Sequence, residues 1–356
     1  MIRFLLLSIL MICCLAPLSL RAGECTVEAV IDGEIGAATL DFIERAEKRA
    51  QERQCNSLLL LINTPGGNLQ TTRMIVEGIL NSKVPVLCYV YPAGAHAGSA
   101  GAIILQSCHV AGAVDATNIG AATPISEGGA NIPSDLRKKI LNDTKSWVVS
   151  LAKLRGRNET FAQKIIEDAT ALSASDSLKI KAIDFVGTTK EQFLKFAQGR
   201  TVMMSEGKTA VVKVGEVNSQ EQDLRYRLMD FLMNPQVTYM IFMASIALLY
   251  FEITHPGMIA PGVIGGLGLL ISLVSMHLLA VTWGSVLLIV AGIGLMVAEA
   301  FTPGFGILGV GGIASFLLGS LFLFDPEQSG VYLPLSIILP TVTMLSALML
   351  SLAYIV

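Results

Sequence analysis

Ser57-Leu58-Leu59-Leu60-Leu61-Ile62, followed at once by Asn63-Thr64-Pro65-Gly66-Gly67, decides the fold. An apolar run with no polar alternation describes a strand covered on both faces, the situation of an inner strand of a parallel sheet. Proline and paired glycines then end the strand in a turn that exposes backbone amides without side-chain cover. On the N-terminal side, residues 26–33 (TVEAVIDG) alternate and close on Asp-Gly, a strand and its turn. Leu40, Ile43, Ala46 and Ala50 recur at helical spacing within Ala37–Gln51. On the C-terminal side come a helix over Leu69–Leu80, a buried strand over Pro85–Val90 and a helix opening at Ser99. Strands alternating with helices predict an α/β domain of parallel strands.

Farther along, residues 125–138 (ISEGGANIPSDLRK) read as a loop. A helix follows from Leu136 to Leu154, with Pro133–Ser134 as its start signal. Shorter helices are expected at Phe161–Ala169 and Ala174–Ile180, and a closing strand at Ile183–Val186. Residues 200–235 are polar and mixed and read as a linker.

The chain changes character at Gln236. All 25 Lys and Arg lie before it, with 24 of the 28 acids; beyond it the acids are Glu252, Glu299, Asp325 and Glu327. The first part is near neutral, which argues against a nucleic-acid partner. Apolar stretches follow at 236–253, 258–281, 284–302, 307–324 and 332–356, each near the ~20 residues that cross a bilayer. About five spans in an all-α bundle are expected, with Gly-rich members packing closely. A repeat of 47 residues runs through them: Glu252, Pro256, Gly257, Gly262 and Gly265 return as Glu299, Pro303, Gly304, Gly309 and Gly312. The two glutamates either form an intramembrane polar site or cap the turns near the headgroups.

Arg3, the apolar run Phe4–Leu20 and small residues at Ala22–Gly23 read as a secretory signal over residues 1–22. The globular part, 23–199, is then extracytoplasmic and the chain is a multi-pass protein of the cell membrane. Arg225 and Arg227 before the first span pull the other way, but a long domain translocates largely regardless of such charges. Export permits disulfides. Cys25, Cys55, Cys88 and Cys108 read as small core residues, with Cys25–Cys55 the one pairing considered. Their spacing does not suit a metal, and no phosphate-binding glycine loop for a nucleotide is present.

Gly94-Ala95-His96-Ala97-Gly98-Ser99-Ala100-Gly101-Ala102 is a run of tiny residues in which Ser99 stands at a helix start, open to a substrate. A hydroxyl there suits a nucleophile, and the N–H groups of Gly66, Gly67 and Ala100 suit the oxyanion that its attack would create. Serine needs a base. His255 and His277 fall in the membrane part, His109 in an apolar strand-like run, and His96 only three residues before Ser99. Lysine serves as base when desolvation lowers its pKa, and Lys138 and Lys139 both stand near the start of the helix after the 125–138 loop.

Taken together, NTPGG at 63–67, YPAGAHAGSAG at 91–101, Lys139-Ile140-Leu141-Asn142-Asp143, and Leu151-Ala152 with Gly156-Arg157-Asn158 resemble the long-form NfeD membrane proteases, relatives of the Clp peptidase within the crotonase-like fold. Ala174-Ser175-Asp176-Ser177-Leu178 departs from the usual Glu-Ala-Leu stretch. Long-form members continue into a small soluble β-barrel after the last span; this sequence ends at Val356, so nothing belonging to that barrel is assigned here. The resemblance implies Ser99 as nucleophile and Lys139, rather than Lys138, as base. It also implies cleavage without ATP, metal or cofactor, self-association as a dimer or larger, and substrates among hydrophobic segments of stomatin- or prohibitin-like membrane partners. Two rival classes are a silent scaffold that binds such a partner and an acyl-CoA enzyme of the crotonase type. Export, and the lack of an acidic pair near Gly67, count against the latter.

Overall fold

The computed structural model describes residues 24–124, 134–255, 257, 259–279, 281–301, 306–324 and 333–355. The segment read as a signal and most of the 125–138 loop lie outside the described residues. Strands β1 (Cys25–Asp32), β2 (Ser57–Asn63) and β3 (Val86–Val90) alternate with helices α1 (Ala37–Glu52) and α2 (Leu69–Asn81). Strand β4 (His96–Gly98), helix α3 (Ala100–Ser107), β5 (Val110–Val114) and β6 (Asn118–Gly120) follow. The domain continues through α4 (Ser134–Leu154), α5 (Glu159–Glu167), β7 (Ala171–Ser173), α6 (Ala174–Lys179), β8 (Phe185–Gly187) and α7 (Lys190–Ala197).

The main sheet has six strands, all parallel, in the order β11-β1-β2-β3-β5-β8, where β11 is Glu216–Gln220. The unbroken leucines of β2 follow from this position. Leu58, Leu60 and Ile62 join the core beneath α1 to α5. Leu59 and Leu61 face the opposite side with Tyr89, Phe193 and Leu194, where the Tyr89 and Phe193 rings stack at 4.6 Å. Both faces are covered by other elements, so neither needs polar residues.

Residues 200–235 are not a plain linker. They form the hairpin β9 (Thr201–Met203) and β10 (Thr209–Val211), the strand β11 (Glu216–Gln220), and helix α8 (Leu224–Leu232). β11 (EVNSQ) pairs with β1 as an edge of the main sheet. The polar sequence that suggested a linker is what an edge strand carries on its wet side. Both cysteine pairs are bonded, Cys25 with Cys55 and Cys88 with Cys108; the second joins β3 to the end of α3 and was not anticipated.

The helices after it are α9 (Pro235–Thr254), α10 (Ala260–Leu278), α11 (Trp283–Phe301), α12 (Ile307–Leu321) and α13 (Leu335–Ile355). Two of them, Pro235–Thr254 and Ala260–His277, are long and apolar enough to cross a membrane; the other three have shorter apolar stretches. The repeat is a repeat of contacts. A Cβ on Gly265 would lie 2.9 Å from the Ser245 carbonyl, and one on Gly312 would lie 2.7 Å from the carbonyl of Gly292, 47 residues on from Ser245. Each glycine lets its hairpin close backbone to backbone. The glutamates act as caps. Ile259 N–H donates to Glu252 Oε1 at 3.0 Å, and Gly306 N–H to Glu299 Oε1 at 2.8 Å, the same seven-residue step in both units. Gly309 N–H adds a bond to Glu299 Oε2.

His109 is a core histidine. Val86 N–H donates to its Nδ1 at 3.1 Å, occupying the lone pair that a second proton would need. Burial, reinforced by the positive charge of Arg155, lowers its pKa from 6.5 to about 3. The unfolded chain binds that proton more readily than the folded one, so the stabilisation is complete above about pH 6.5 and is lost as pH falls toward 3. We expect His109→Gln to flatten the acid limb of the α/β domain's melting temperature across that interval. An unchanged limb would assign the acid sensitivity to other groups.

Candidate active site

The turn after β2 and the run before α3 are laced together. Thr64 N–H donates to the His96 carbonyl at 2.8 Å and Gly98 N–H to the Thr64 carbonyl at 3.0 Å. Asn63 ties the ends of two strands to this seam: its Nδ2 donates to Asp32 Oδ1 at 2.8 Å and its Oδ1 accepts from His96 N–H at 3.3 Å. Three glycines permit the approach. A Cβ on Gly66 would collide with the side chain of Ser99, one on Gly101 with Thr64, and one on Gly98 would lie 2.9 Å from the Pro65 carbonyl.

Ser99 caps α3 with φ 47° and ψ −114°, backbone angles that a side-chain-bearing residue seldom adopts. Such a conformation costs about 1–3 kcal/mol and persists only where the surroundings impose it. Here Ser99 N–H is held by the Gly120 carbonyl at 3.0 Å, and the Ser99 carbonyl accepts from Ala102 and Ile103 in the first turn. The hydroxyl is partly exposed while its neighbours Ala97 and Ala100 are buried.

The amides around it differ. Gly66 N–H donates to Thr64 Oγ1 at 3.1 Å. Gly67 is bridged to Ile35 on one side: Ile35 N–H bonds the Gly66 carbonyl at 2.7 Å and Asn68 N–H bonds the Ile35 carbonyl at 2.9 Å. In a parallel bridge of this kind the Gly67 N–H points to the side away from Ile35. Neither it nor the Ala100 N–H, at the first turn of α3, has a hydrogen-bond partner among the described residues. A Cβ on Gly67 would strike the Ile35 backbone, and its φ of 153° also calls for glycine.

Lys139 is not brought to Ser99. It is exposed, as is Lys138, and makes no hydrogen bond or ion pair among the described residues. Its side of α4 is nonetheless fixed. Asp143, one turn on, pairs with Arg73, and Trp147, a further turn on, lies under the Arg73 guanidinium at 4.3 Å. Residues four apart share a helix face, so Lys139 stands on the face turned to α2, the helix that starts two residues after Gly67.

The far end of α3 carries residues whose role was not read from the sequence. Arg157 is buried and donates to the carbonyls of Leu105 (2.8 Å), Gln106 (3.0 Å) and Cys108 (2.9 Å) and to Asp184 (2.9 Å). Arg155 Nε donates to the Ser107 carbonyl at 2.7 Å. Two guanidiniums thus satisfy the C-terminal carbonyls of the helix that presents Ser99. Gly-Arg-Asn at 156–158 was a visible signal, but its target lies about fifty residues earlier in the chain. Among the described residues, no group of His, Cys, Asp and Glu is placed to hold a metal.

Two family models divide the chain between them: the NfeD1b N-terminal domain matches residues 27–213 and the NfeD integral membrane domain matches residues 236–355. The chain belongs to the NfeD family. It is 30% identical to the membrane-bound protease PH1510 of Pyrococcus horikoshii over 328 residues, which cover 90% of this chain and 74% of that one. The membrane protein NfeD1b of Bacillus subtilis is 29% identical, with 86% and 68% covered. Among solved structures, the α/β domain is similar to the 1510-N membrane-bound stomatin-specific protease. A lysine-to-alanine mutant of it in complex with a substrate peptide matches with TM-score 0.54 and 29% identity, covering 59% of this chain and 97% of that one. A serine-to-alanine mutant matches with TM-score 0.52 and 30% identity, covering 56% and 99%. This NfeD chain is therefore a membrane protein that joins a parallel α/β domain of the 1510-N fold to a helical NfeD membrane region.

Arg157 and Arg73 should separate cleanly in denaturant unfolding. We expect Arg157→Met to cost about 3–5 kcal/mol, because it strips a buried, multiply bonded charge from its partners. Arg73→Ala, at an exposed pair and a ring, should cost no more than about 1–2 kcal/mol. Equal costs would contradict the assignment of Arg157 as the anchor of α3.

Proposed function

We propose that this NfeD protein is an ATP-independent serine endopeptidase with a Ser99–Lys139 dyad. In this reading it cuts hydrophobic segments of a stomatin- or prohibitin-like membrane partner. The observation that carries the reading is Ser99 itself: a serine in a strained conformation at a helix start, lined by glycine and alanine, with two backbone N–H groups beside it that have no partner among the described residues. Strained, over-determined serines are held for nucleophilic work rather than for stability.

In the proposed cycle Ser99 Oγ attacks the scissile carbonyl carbon while the neutral amine of Lys139 takes its proton. The Gly67 and Ala100 N–H groups, with Gly66 shaping the turn, receive the oxyanion. Lys139 returns the proton to the departing amine, and the acyl-enzyme is released by water that Lys139 activates in turn. The dyad requires the first turns of α4 to bring Lys139 over Ser99 when peptide is bound. The solved relatives altered at one serine and one lysine, one of them holding a substrate peptide, support this choice of residue types. The stomatin specificity of 1510-N supports the partner class.

We place the α/β domain outside the cytoplasm and five spans in the membrane, with the chain acting as a homodimer or larger. Two disulfides among the described residues support an oxidising compartment. The scaffold reading is favoured by one observation: Lys139 is exposed and no hydrogen bond joins it to Ser99 among the described residues.

Ser99→Ala and Lys139→Ala should each abolish cleavage of an apolar peptide while the far-UV spectrum is unchanged. Peptidase activity retained in Lys139→Ala would place the base elsewhere. Gly67→Val should lower kcat by about 10²–10³, the usual cost of one oxyanion donor; an unchanged kcat in a folded variant would remove Gly67 from the site.

A further inference from the structure

Helix α8, directly before the first apolar helix, has two unlike faces. Tyr226 is buried against α1, its ring 5.2 Å from Phe42, and Met229 packs on the same core. On the opposite face Leu224, Leu228 and Phe231 are 81%, 54% and 56% exposed. Their spacing of four and then three residues makes one continuous apolar stripe. Arg225 and Arg227 flank the stripe on its two sides, both exposed. Apolar residues over a helix face with long cations at its margins are the composition of a helix lying in a membrane surface, its cations reaching the headgroups. Only Met233 and Asn234 separate α8 from α9.

The position of α8 in the fold gives this stripe a consequence. Arg45 bonds Asp223 at 2.8 Å and Arg225 bonds Asp41 at 2.7 Å, so α8 is pinned to the first half of α1. That half follows the loop whose Ile35 is bonded to Gly66 and Asn68. A chain of direct contacts therefore runs from Ser99 through Gly66 and Ile35 to α1 and α8. All of it lies at the carboxyl ends of the parallel strands, the edge at which β1, β2 and β11 terminate.

We infer that α8 is an interfacial helix whose Leu224–Leu228–Phe231 stripe sits at the headgroup and acyl boundary of the bilayer, holding the Ser99 edge of the sheet against the lipid surface. The bilayer is the occupant because only two residues separate the stripe's helix from α9, itself long and apolar enough to enter it. The anchorage itself is independent of the proposed peptidase activity; its value to catalysis rests on that reading. An apolar segment leaving the bilayer would then reach Ser99 without crossing water.

Spin labels on the full-length chain in phosphatidylcholine–phosphatidylglycerol nanodiscs test this. Cys13 and Cys14 are replaced by serine and the four remaining cysteines stay paired, so Leu224→Cys, Leu228→Cys, Phe231→Cys and, as a control, Glu221→Cys each give one label. The first three should collide preferentially with oxygen, which concentrates in lipid, and the control with a water-soluble nickel chelate. Stripe labels that behave like the control overturn the inference. So do stripe labels shielded from both reagents, a result that would assign the stripe to a second copy of the chain. For the functional half, Leu228→Asp with Phe231→Asp should retain cleavage of a water-soluble peptide and lose cleavage of the same sequence presented at the end of a bilayer-embedded helix. Equal retention of both overturns that half. Failure of the parent chain to cut either substrate would sink the peptidase reading, while the label pattern still decides the anchorage.

Discussion

Everything at the candidate site depends on the backbone of Gly66 lying against the side chain of Ser99. No other residue fits at that distance, and the approach is what sets the turn after β2 beside the start of α3. The seam is held from several directions at once. Thr64 bonds both sides of His96–Gly98, Asn63 bridges Asp32 and His96, and Ile35 grips Gly66 and Asn68 from behind. Those bonds offset the unfavourable angles of Ser99 and leave two amides near it without a partner among the described residues. At the other end of α3, Arg155 and Arg157 occupy the carbonyls that a helix end leaves open. The helix is thus fixed at both termini, and Ser99 has little freedom to relax.

The legible parts of the fold were those with local signals. The apolar run of β2 and the helical spacing of α1 each follow from the covering on their faces, and both, with β1, lie where the sequence puts them; the alternation of β1 does not mark a wet face, since Thr26 and Glu28 are buried. NTPGG and the tiny-residue run are also local, which is why the sequence alone nominates Ser99, Gly66, Gly67 and Ala100 as candidates. What escaped depends on partners distant in the chain. β11 is polar because it is an edge, so it carries no hydrophobic signature, and its pairing with β1 spans nearly two hundred residues. The Cys88–Cys108 bond needs the return of β5 beside β3. Lys139 was chosen by resemblance rather than by any property of its own, and its exposed position on α4 accords with how little the sequence around it says about desolvation.

The membrane region shows how a repeat can carry packing in place of chemistry. Gly265 and Gly312 close their hairpins against backbone 47 residues apart, and Glu252 and Glu299 cap the helices that follow them. Both carboxylates bond the backbone at the starts of the helices that follow, which favours the capping reading. The α/β domain in turn is fastened to this region at the edge of the sheet where Ser99 lies.

The central claim is that Ser99 is an activated nucleophile. A fluorophosphonate probe, which reacts with serines whose proton is taken up by a neighbouring base, measures this directly on purified membranes. The account predicts labelling of the parent chain, none in Ser99→Ala, and loss of labelling in Lys139→Ala. An unlabelled parent chain across detergent, bilayer and substrate-loaded states would contradict it and leave the chain a membrane scaffold.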